Sequence, residues 1–194
     1  MAVARLFFGV PLQAQATLAL EAVCARLNMQ PGWRPLGARN WHITLSFLGE
    51  VDGRSINSLI ELGERVAQQS EAVSISLDSL QWWPSAERPR LLAAVADQSS
   101  ALQPLRKLLN SSLRELGIAF DGKPLRAHVT LLRLERGIFV SDLNVPACSA
   151  NVAADTLALY VSEKNHGEKI YRPLWQSELK PKFPPNPPLI KGGN

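Results

Sequence analysis

Two histidines open the same short pattern, His-x-Thr-Leu, at distant points of the chain. The first stands in Trp41-His42-Ile43-Thr44-Leu45-Ser46-Phe47-Leu48-Gly49, the second in Ala127-His128-Val129-Thr130-Leu131-Leu132-Arg133. Both stretches are rich in β-branched and apolar residues, the mark of a strand. The two-residue period puts His42, Thr44 and Ser46 on one face and Ile43, Leu45 and Phe47 toward the core, with His128 and Thr130 likewise opposite Val129 and Leu131. Each strand therefore offers an imidazole beside a hydroxyl. Imidazole changes charge near neutral pH, so one ring can take a proton while another gives one. Cleaving a phosphodiester needs that pair, a base to activate water and an acid to protonate the leaving oxygen. Each threonine hydroxyl can donate to a non-bridging oxygen, where charge builds up in the transition state.

Arg133 could add a charged donor to the same oxygens. Strict alternation puts it on the Val129 face, away from His128. It reaches the site only if the strand ends or bulges near Leu132. A metal centre built on His42 and His128 would need further ligands and a supporting shell, and no third histidine or acid stands out near either motif. A non-catalytic module for RNA ends is the other reading, with Trp33, Arg34, Arg39, Trp82, Trp83 and Arg88 as base- and phosphate-contacting candidates. Trp82 and Trp83 face opposite ways if extended, so one belongs in the core and at most one meets a base.

The elements that must position the histidines repeat. Residues 5–10 read as a buried strand, followed by a helix with Ala16, Leu20, Val23 and Leu27 at helical spacing. Pro31, Gly32, Pro35 and Gly37 mark a loop, and a strand runs from Trp41 to Leu48. Asp52-Gly53 turns the chain, and Ser55 can cap a helix whose inner stripe is Ile56, Leu59, Ile60 and Val66. Residues 73–80 alternate as a half-buried strand. Then Arg90-Leu-Leu-Ala-Ala-Val95 echoes Arg5-Leu-Phe-Phe-Gly-Val10. A second helix follows with Leu102, Leu105, Leu109 and Leu116 inward, capped near Ser99 or Ser100, and Pro104 tolerated in its first turn. A Gly-Lys-Pro loop at 122–124 leads into the His128 strand. Two further strands lie near 153–161 and 168–175. Arg5 to His42 spans 37 residues and Arg90 to His128 spans 38, so strand, helix, loop and His-x-Thr strand occur twice. This implies an internal duplication, two α+β lobes facing each other across a cleft.

With 194 residues, 46% of them hydrophobic, the chain can build one large domain or two packed lobes. The formal charge is +4, but Lys180, Lys182 and Lys191 lie in a tail without acids, leaving +1 for residues 1–179. A polyanion coating long stretches of surface is not implied, whereas a small anionic group in a local site is. Cys24 and Cys148 show no paired spacing and read as apolar thiols. No apolar run reaches the ~18 residues of a membrane span. Gly9, Pro11 and Gln13 break the opening apolar run too early for a signal peptide, so the expected location is the cytoplasm. Residues 180–194 hold five prolines and end Lys-Gly-Gly-Asn, a composition expected to be disordered. His166, in an apparent loop, is expected to face solvent.

These residues resemble the two-histidine (2H) phosphoesterases, most closely the RNA 2′,3′-cyclic phosphodiesterase branch, also called 2′-5′ RNA ligase. The resemblance runs through Arg5-Leu-Phe-Phe, Asn40-Trp41-His42-Ile-Thr-Leu-Ser-Phe-Leu-Gly49, His128-Val-Thr-Leu-Leu-Arg133, Leu159-Tyr160-Val-Ser162 and Gly167 to Tyr171. It covers about residues 5–175 and implies a bilobed α+β fold, two antiparallel sheets with flanking helices related by a pseudo-twofold, with the site in the cleft. On this resemblance residues 1–179 form the single phosphoesterase domain. It implies metal- and cofactor-independent hydrolysis of an RNA or nucleotide 2′,3′-cyclic phosphate to a 2′-phosphomonoester. His42 would be the proton donor and His128 the acceptor, with Thr44, Thr130 and Arg133 holding phosphate. Pseudo-symmetry lets the two roles be exchanged. Reversible ATP-independent 2′-5′ ligation, or hydrolysis of another small cyclic phosphate, would use the same pair. A monomer is expected. Trp41 departs from the family, which often carries a smaller aliphatic residue there, and the tail has no counterpart.

Overall fold

The computed structural model describes residues 3–96, 99–138, 144–165 and 168–182. The elements in order are β1 (Val3–Pro11), α1 (Ala14–Cys24), β2 (Trp33–Pro35), β3 (His42–Asp52), α2 (Ile56–Gln69), β4 (Val73–Leu77), β5 (Ser79–Trp83), β6 (Leu91–Val95), α3 (Gln103–Glu115), β7 (His128–Leu134), β8 (Ala150–Ala154), β9 (Thr156–Asn165) and β10 (Glu168–Glu178). Two four-stranded sheets, ordered β10-β9-β1-β3 and β2-β7-β6-β5, stand beside a two-stranded sheet β4-β8. Every pairing between named strands is antiparallel. The fold is α+β, and no helix among the described residues is long and apolar enough to cross a membrane.

The order strand, helix, histidine strand occurs as β1-α1-β3 and as β6-α3-β7. Pro11 lies opposite His42 and Val10 opposite Ile43, as Val95 lies opposite His128 and Ala94 opposite Val129. This register makes Phe7 the counterpart of Leu91, one residue off the match of letters between Arg5 and Arg90. Hydrogen bonding between strands sets the frame, not the resemblance of side chains.

One continuous core joins the halves. Leu6, Phe8, Val10, Ile43 and Leu45 from the first sheet pack in the same cluster as Ala94, Val129 and Leu131 from the second, with Leu20, Leu59, Leu62, Leu105, Leu109 and Leu113 from the helices. β1 has neighbours on both sides and reads as an almost unbroken apolar run because both its faces are covered.

Several local expectations are corrected. Leu27 lies beyond the end of α1 and packs at a smaller cluster around Trp82, Leu92 and Leu132. In α3 the buried fourth position is Leu113, while Leu116, past the helix end, is 39% exposed. Ser55 makes no side-chain cap; instead the Asp52 carboxylate accepts from Arg54 N at 2.9 Å at the head of a 3-10 turn leading into α2. Neither Ser99 nor Ser100 caps α3, which grows directly from a 3-10 turn with Leu102 at its boundary. The stretch 73–80 breaks at Asp78 into β4 and β5, which join different sheets. The stretch 153–161 likewise spans β8 and β9. β2, in a segment read as loop, gains its conformation only by pairing with β7. His166 and the tail from residue 183 lie outside the described residues.

Candidate active site

The faces of the two histidine strands depart from simple alternation at the same point. In β3, Gly9 pairs with Thr44 and Phe8 with Ser46, so Leu45 is an extra residue. In β7, Ala93 pairs with Thr130 and Leu92 with Leu132, so Leu131 is extra. Each is a β-bulge, which puts two successive side chains on one side and re-aims the residues after it. Leu131 and Leu132 are both buried in consequence, and Arg133 turns out on the His128 face. That is the condition under which Arg133 can reach the site. In β3, Leu45 and Ser46 are both buried and Phe47, expected in the core, stands 50% exposed. Ser46, expected beside Thr44, instead points inward and donates to Asn110 Oδ1 on α3.

The two imidazoles are held alike. His42 Nδ1 donates to the carbonyl of Asn40 at 2.8 Å, and His128 Nδ1 to the carbonyl of Arg126 at 2.8 Å. A proton on Nδ1 leaves Nε2 unprotonated in the neutral ring. His42 Nε2 lies 3.1 Å from Thr44 Oγ1.

Each ring has an aromatic wall. His42 stands 4.7 Å from Phe7, 5.4 Å from Tyr160 and 4.9 Å from Tyr171, centroid to centroid. His128 stands 4.4 Å from Trp83, which also meets the Arg126 guanidinium at 4.0 Å and donates from Nε1 to Gln81 Oε1 at 3.2 Å. Trp82 is buried while Trp83 lines the site, as the two opposite faces required. Burial pushes the His42 imidazole down to about 4; the Asn40 carbonyl partly opposes this, and the charges of His128 and Arg133 add to it. Burial also lowers His128, opposed by the Arg126 carbonyl and assisted by the charges of Arg126 and Arg133. The Arg133 charge thus bears on both rings.

Thr44 and Phe47 from one half and Trp83, Arg126 and His128 from the other line a hollow of about 200 Å³. Among the described residues no three His, Cys, Asp or Glu side chains cluster as metal ligands would.

Some residues at the site were not singled out by sequence. Asn40, buried, clamps β10 through its side chain, donating to Lys169 O at 3.3 Å and accepting from Tyr171 N at 3.0 Å. Its own carbonyl meanwhile orients His42. Gly9 lies under His42, where a Cβ would stand 2.8 Å from Ile43 O and 3.6 Å from His42 Cδ2. Arg106 of α3 donates from Nε to Leu45 O at 2.9 Å, taking up the carbonyl of the bulged residue, and also binds the carbonyls of Asp121 and Lys123. The only signal in sequence for these positions was proximity to the histidines, as for Asn40.

Comparison with known proteins gives the same outline. The family described as LigT like Phosphoesterase matches residues 10–93. The RNA 2′,3′-cyclic phosphodiesterase of Escherichia coli K12 is 28% identical over 172 residues, covering 88% of this chain and 93% of its own. A protein of Thermus thermophilus superposes with a TM-score of 0.79 at 26% identity, over 92% of this chain and all of its own. The chain is similar to the LigT-like phosphoesterases. A further relative, E. coli LigT crystallised with 3′-AMP, superposes with a TM-score of 0.73 at 27% identity, over 92% of this chain and 99% of its own. The likeness to these LigT-like phosphoesterases extends across both halves of the fold.

Proposed function

We propose that this protein hydrolyses the 2′,3′-cyclic phosphate of an RNA end or a nucleotide to a 2′-phosphomonoester, using His42 and His128 without a metal or cofactor. The observation that carries the reading is the matched tethering of the two rings, each with Nδ1 on the carbonyl two residues back, with His42 Nε2 3.1 Å from Thr44 Oγ1 and His128 lining the hollow. The E. coli relative named RNA 2′,3′-cyclic phosphodiesterase supports the substrate class.

In this reading His128 Nε2 takes a proton from water, whose oxygen forms a bond to phosphorus. The bond from phosphorus to the 3′-oxygen breaks, and His42 Nε2 gives that oxygen its proton. The products are a 2′-phosphate and a 3′-hydroxyl, and proton exchange with solvent restores both rings. His42 must carry a proton on each nitrogen for this role. The free ring resists that, and the negative charge of a phosphate beside it reverses the balance. Arg133 and the hydroxyls of Thr44 and Thr130 hold the non-bridging oxygens. The working unit is the single bilobed domain of residues 1–179, acting as a cytoplasmic monomer.

The test is to offer the purified protein adenosine 2′,3′-cyclic phosphate with excess EDTA, beside His42→Ala and His128→Ala, and to identify the product. The expected result is 2′-AMP from the parent and a loss of about 10²–10⁴ in turnover for each variant. Binding without turnover would leave a module for RNA ends. Near-full turnover in either variant would remove that histidine from the mechanism.

A further inference from the structure

A second, larger hollow of about 640 Å³ lies along α3, lined by Ser100, Gln103, Lys107, Asn110 and Arg114. It adjoins the catalytic hollow at Arg106, which lines both. Gln103, Arg106, Lys107, Asn110 and Arg114 recur every three or four residues, so they form one stripe of the helix, opposite Leu105, Leu109 and Leu113 in the core. From Gln103 to Arg114 the stripe runs about 16 Å at the α-helical rise.

Charge separates this region from the rest of the surface. Residues 99–136 hold seven basic and three acidic side chains, an excess of +4 that equals the formal charge of the whole chain. Asp121 is the only acid lining either hollow among the described residues, and Lys123 Nζ pairs with it at 3.3 Å. Lys107 is exposed, and the Arg114 guanidinium stands 5.2 Å over the Phe120 ring, a brace that leaves its donors to solvent. A cationic stripe without acids, leading away from a phosphate site, matches the backbone of a single strand. A mononucleotide would fill only the smaller hollow.

We propose that the α3 groove is the track for the RNA strand on the 5′ side of the cyclic-phosphate end, with Lys107 and Arg114 meeting backbone phosphates. This rests on the substrate class proposed above and makes the preferred substrate an oligoribonucleotide.

The test has a kinetic and a binding arm. Turnover of adenosine 2′,3′-cyclic phosphate is compared with that of an octaribonucleotide ending in the same group, in the parent and in Lys107→Ala/Arg114→Gln. The octamer is expected to have the lower KM. Two phosphate contacts at about 0.7 each in the logarithmic slope raise that KM about sevenfold between 50 and 200 mM salt. The double variant should lose both the advantage and the salt dependence while its mononucleotide kinetics stay within about twofold of the parent. Lys107→Arg should behave as the parent. In the second arm, fluorescence anisotropy reads binding of a labelled octamer ending in a 2′-phosphate, which needs no turnover. Weaker octamer binding by the double variant supports the track even if the mononucleotide is not hydrolysed, an outcome that would defeat only the catalytic reading. Equal octamer binding by parent and double variant would overturn the track. Competition by octaglutamate as strong as by RNA would also overturn it, in favour of a surface for acidic peptides.

Discussion

Phe47 and Arg133 occupy the same place in the two halves of the fold. Each stands five residues after its histidine, and each is turned toward the cleft by a bulge at the intervening leucine, Leu45 or Leu131. The duplicated backbone presents a ring from one side and a guanidinium from the other. Such a site is asymmetric in chemistry although its frame is nearly symmetric.

Arg133→Met should lower kcat/KM by about 10²–10³, the weight of one charged donor to the developing phosphate charge. Arg133→Lys should recover part of the loss, since a point charge remains but the bidentate fork does not. Phe47→Leu should leave kcat within a few-fold of the parent. Steady-state kinetics on a cyclic mononucleotide check all three; a Phe47 variant as damaged as Arg133→Met would contradict the asymmetry.

The pH profile of kcat/KM should be bell-shaped and centred below pH 6.5. That parameter reports the free enzyme, where burial and Arg133 hold His128 below its ordinary value and His42 near 4. The sign follows from charge: both influences disfavour imidazolium, so the state with one ring protonated is reached at lower pH. A bound phosphate anion favours imidazolium, so the kcat profile should lie to the alkaline side. Arg133→Met removes one lowering influence from both rings and should move the kcat/KM profile alkaline. A profile centred at or above pH 7 would mean the rings are less shielded than the structure shows.

Asn40→Ala should reduce kcat about tenfold or more with little change in KM. The residue touches no substrate in the proposed reaction; it ties β10 to the turn that carries the His42 tether. Losing those bonds should also cost about 1–3 kcal/mol of stability, since its buried partners lose their donor and acceptor. The discriminating readout is the pH profile. Loosening the His42 tether should shift its acid limb, whereas a purely structural loss would scale activity without moving it.

Truncation after Lys182 should leave turnover and Tm unchanged. The core ends at Leu179, and the backbone of Lys180 is the last pinned to the fold among the described residues, donating to Ser70 O at 2.9 Å and accepting from Ala72 N at 2.7 Å. Lower activity or a lower Tm in the shortened chain would assign the tail a role.

Much of this site was legible from sequence because the relevant rules are local. Alternation alone placed His42 with Thr44 and His128 with Thr130, and the repeated strand, helix and strand put the two motifs in facing halves. Trp82 and Trp83 were sorted into core and rim by the same rule. The rule failed where a bulge intervenes, because a bulge depends on which residues the neighbouring strand offers. Nothing in Leu131-Leu132-Arg133 says that Leu92 pairs with Leu132 and Ala93 with Thr130. The faces of Ser46 and Phe47 were misread for that reason.

Net charge says little of where charges stand. A chain nearly neutral outside its tail gave no sign of local charge, yet residues 99–136 carry seven basic side chains against three acidic ones. Composition adds charges without regard to position, while an electrostatic surface depends on where they stand.

Residue type and short spacing were enough to pick out the candidate catalytic letters, the strand period that pairs each histidine with a threonine, and the repeated order of elements that carries them. It took the folded chain to turn Arg133 and Phe47 to the cleft, to set the carbonyls of Asn40 and Arg126 against the rings, and to lay the cationic stripe of α3 beside the site. Each of those depends on hydrogen bonds or packing between segments far apart in the chain, which no local pattern encodes.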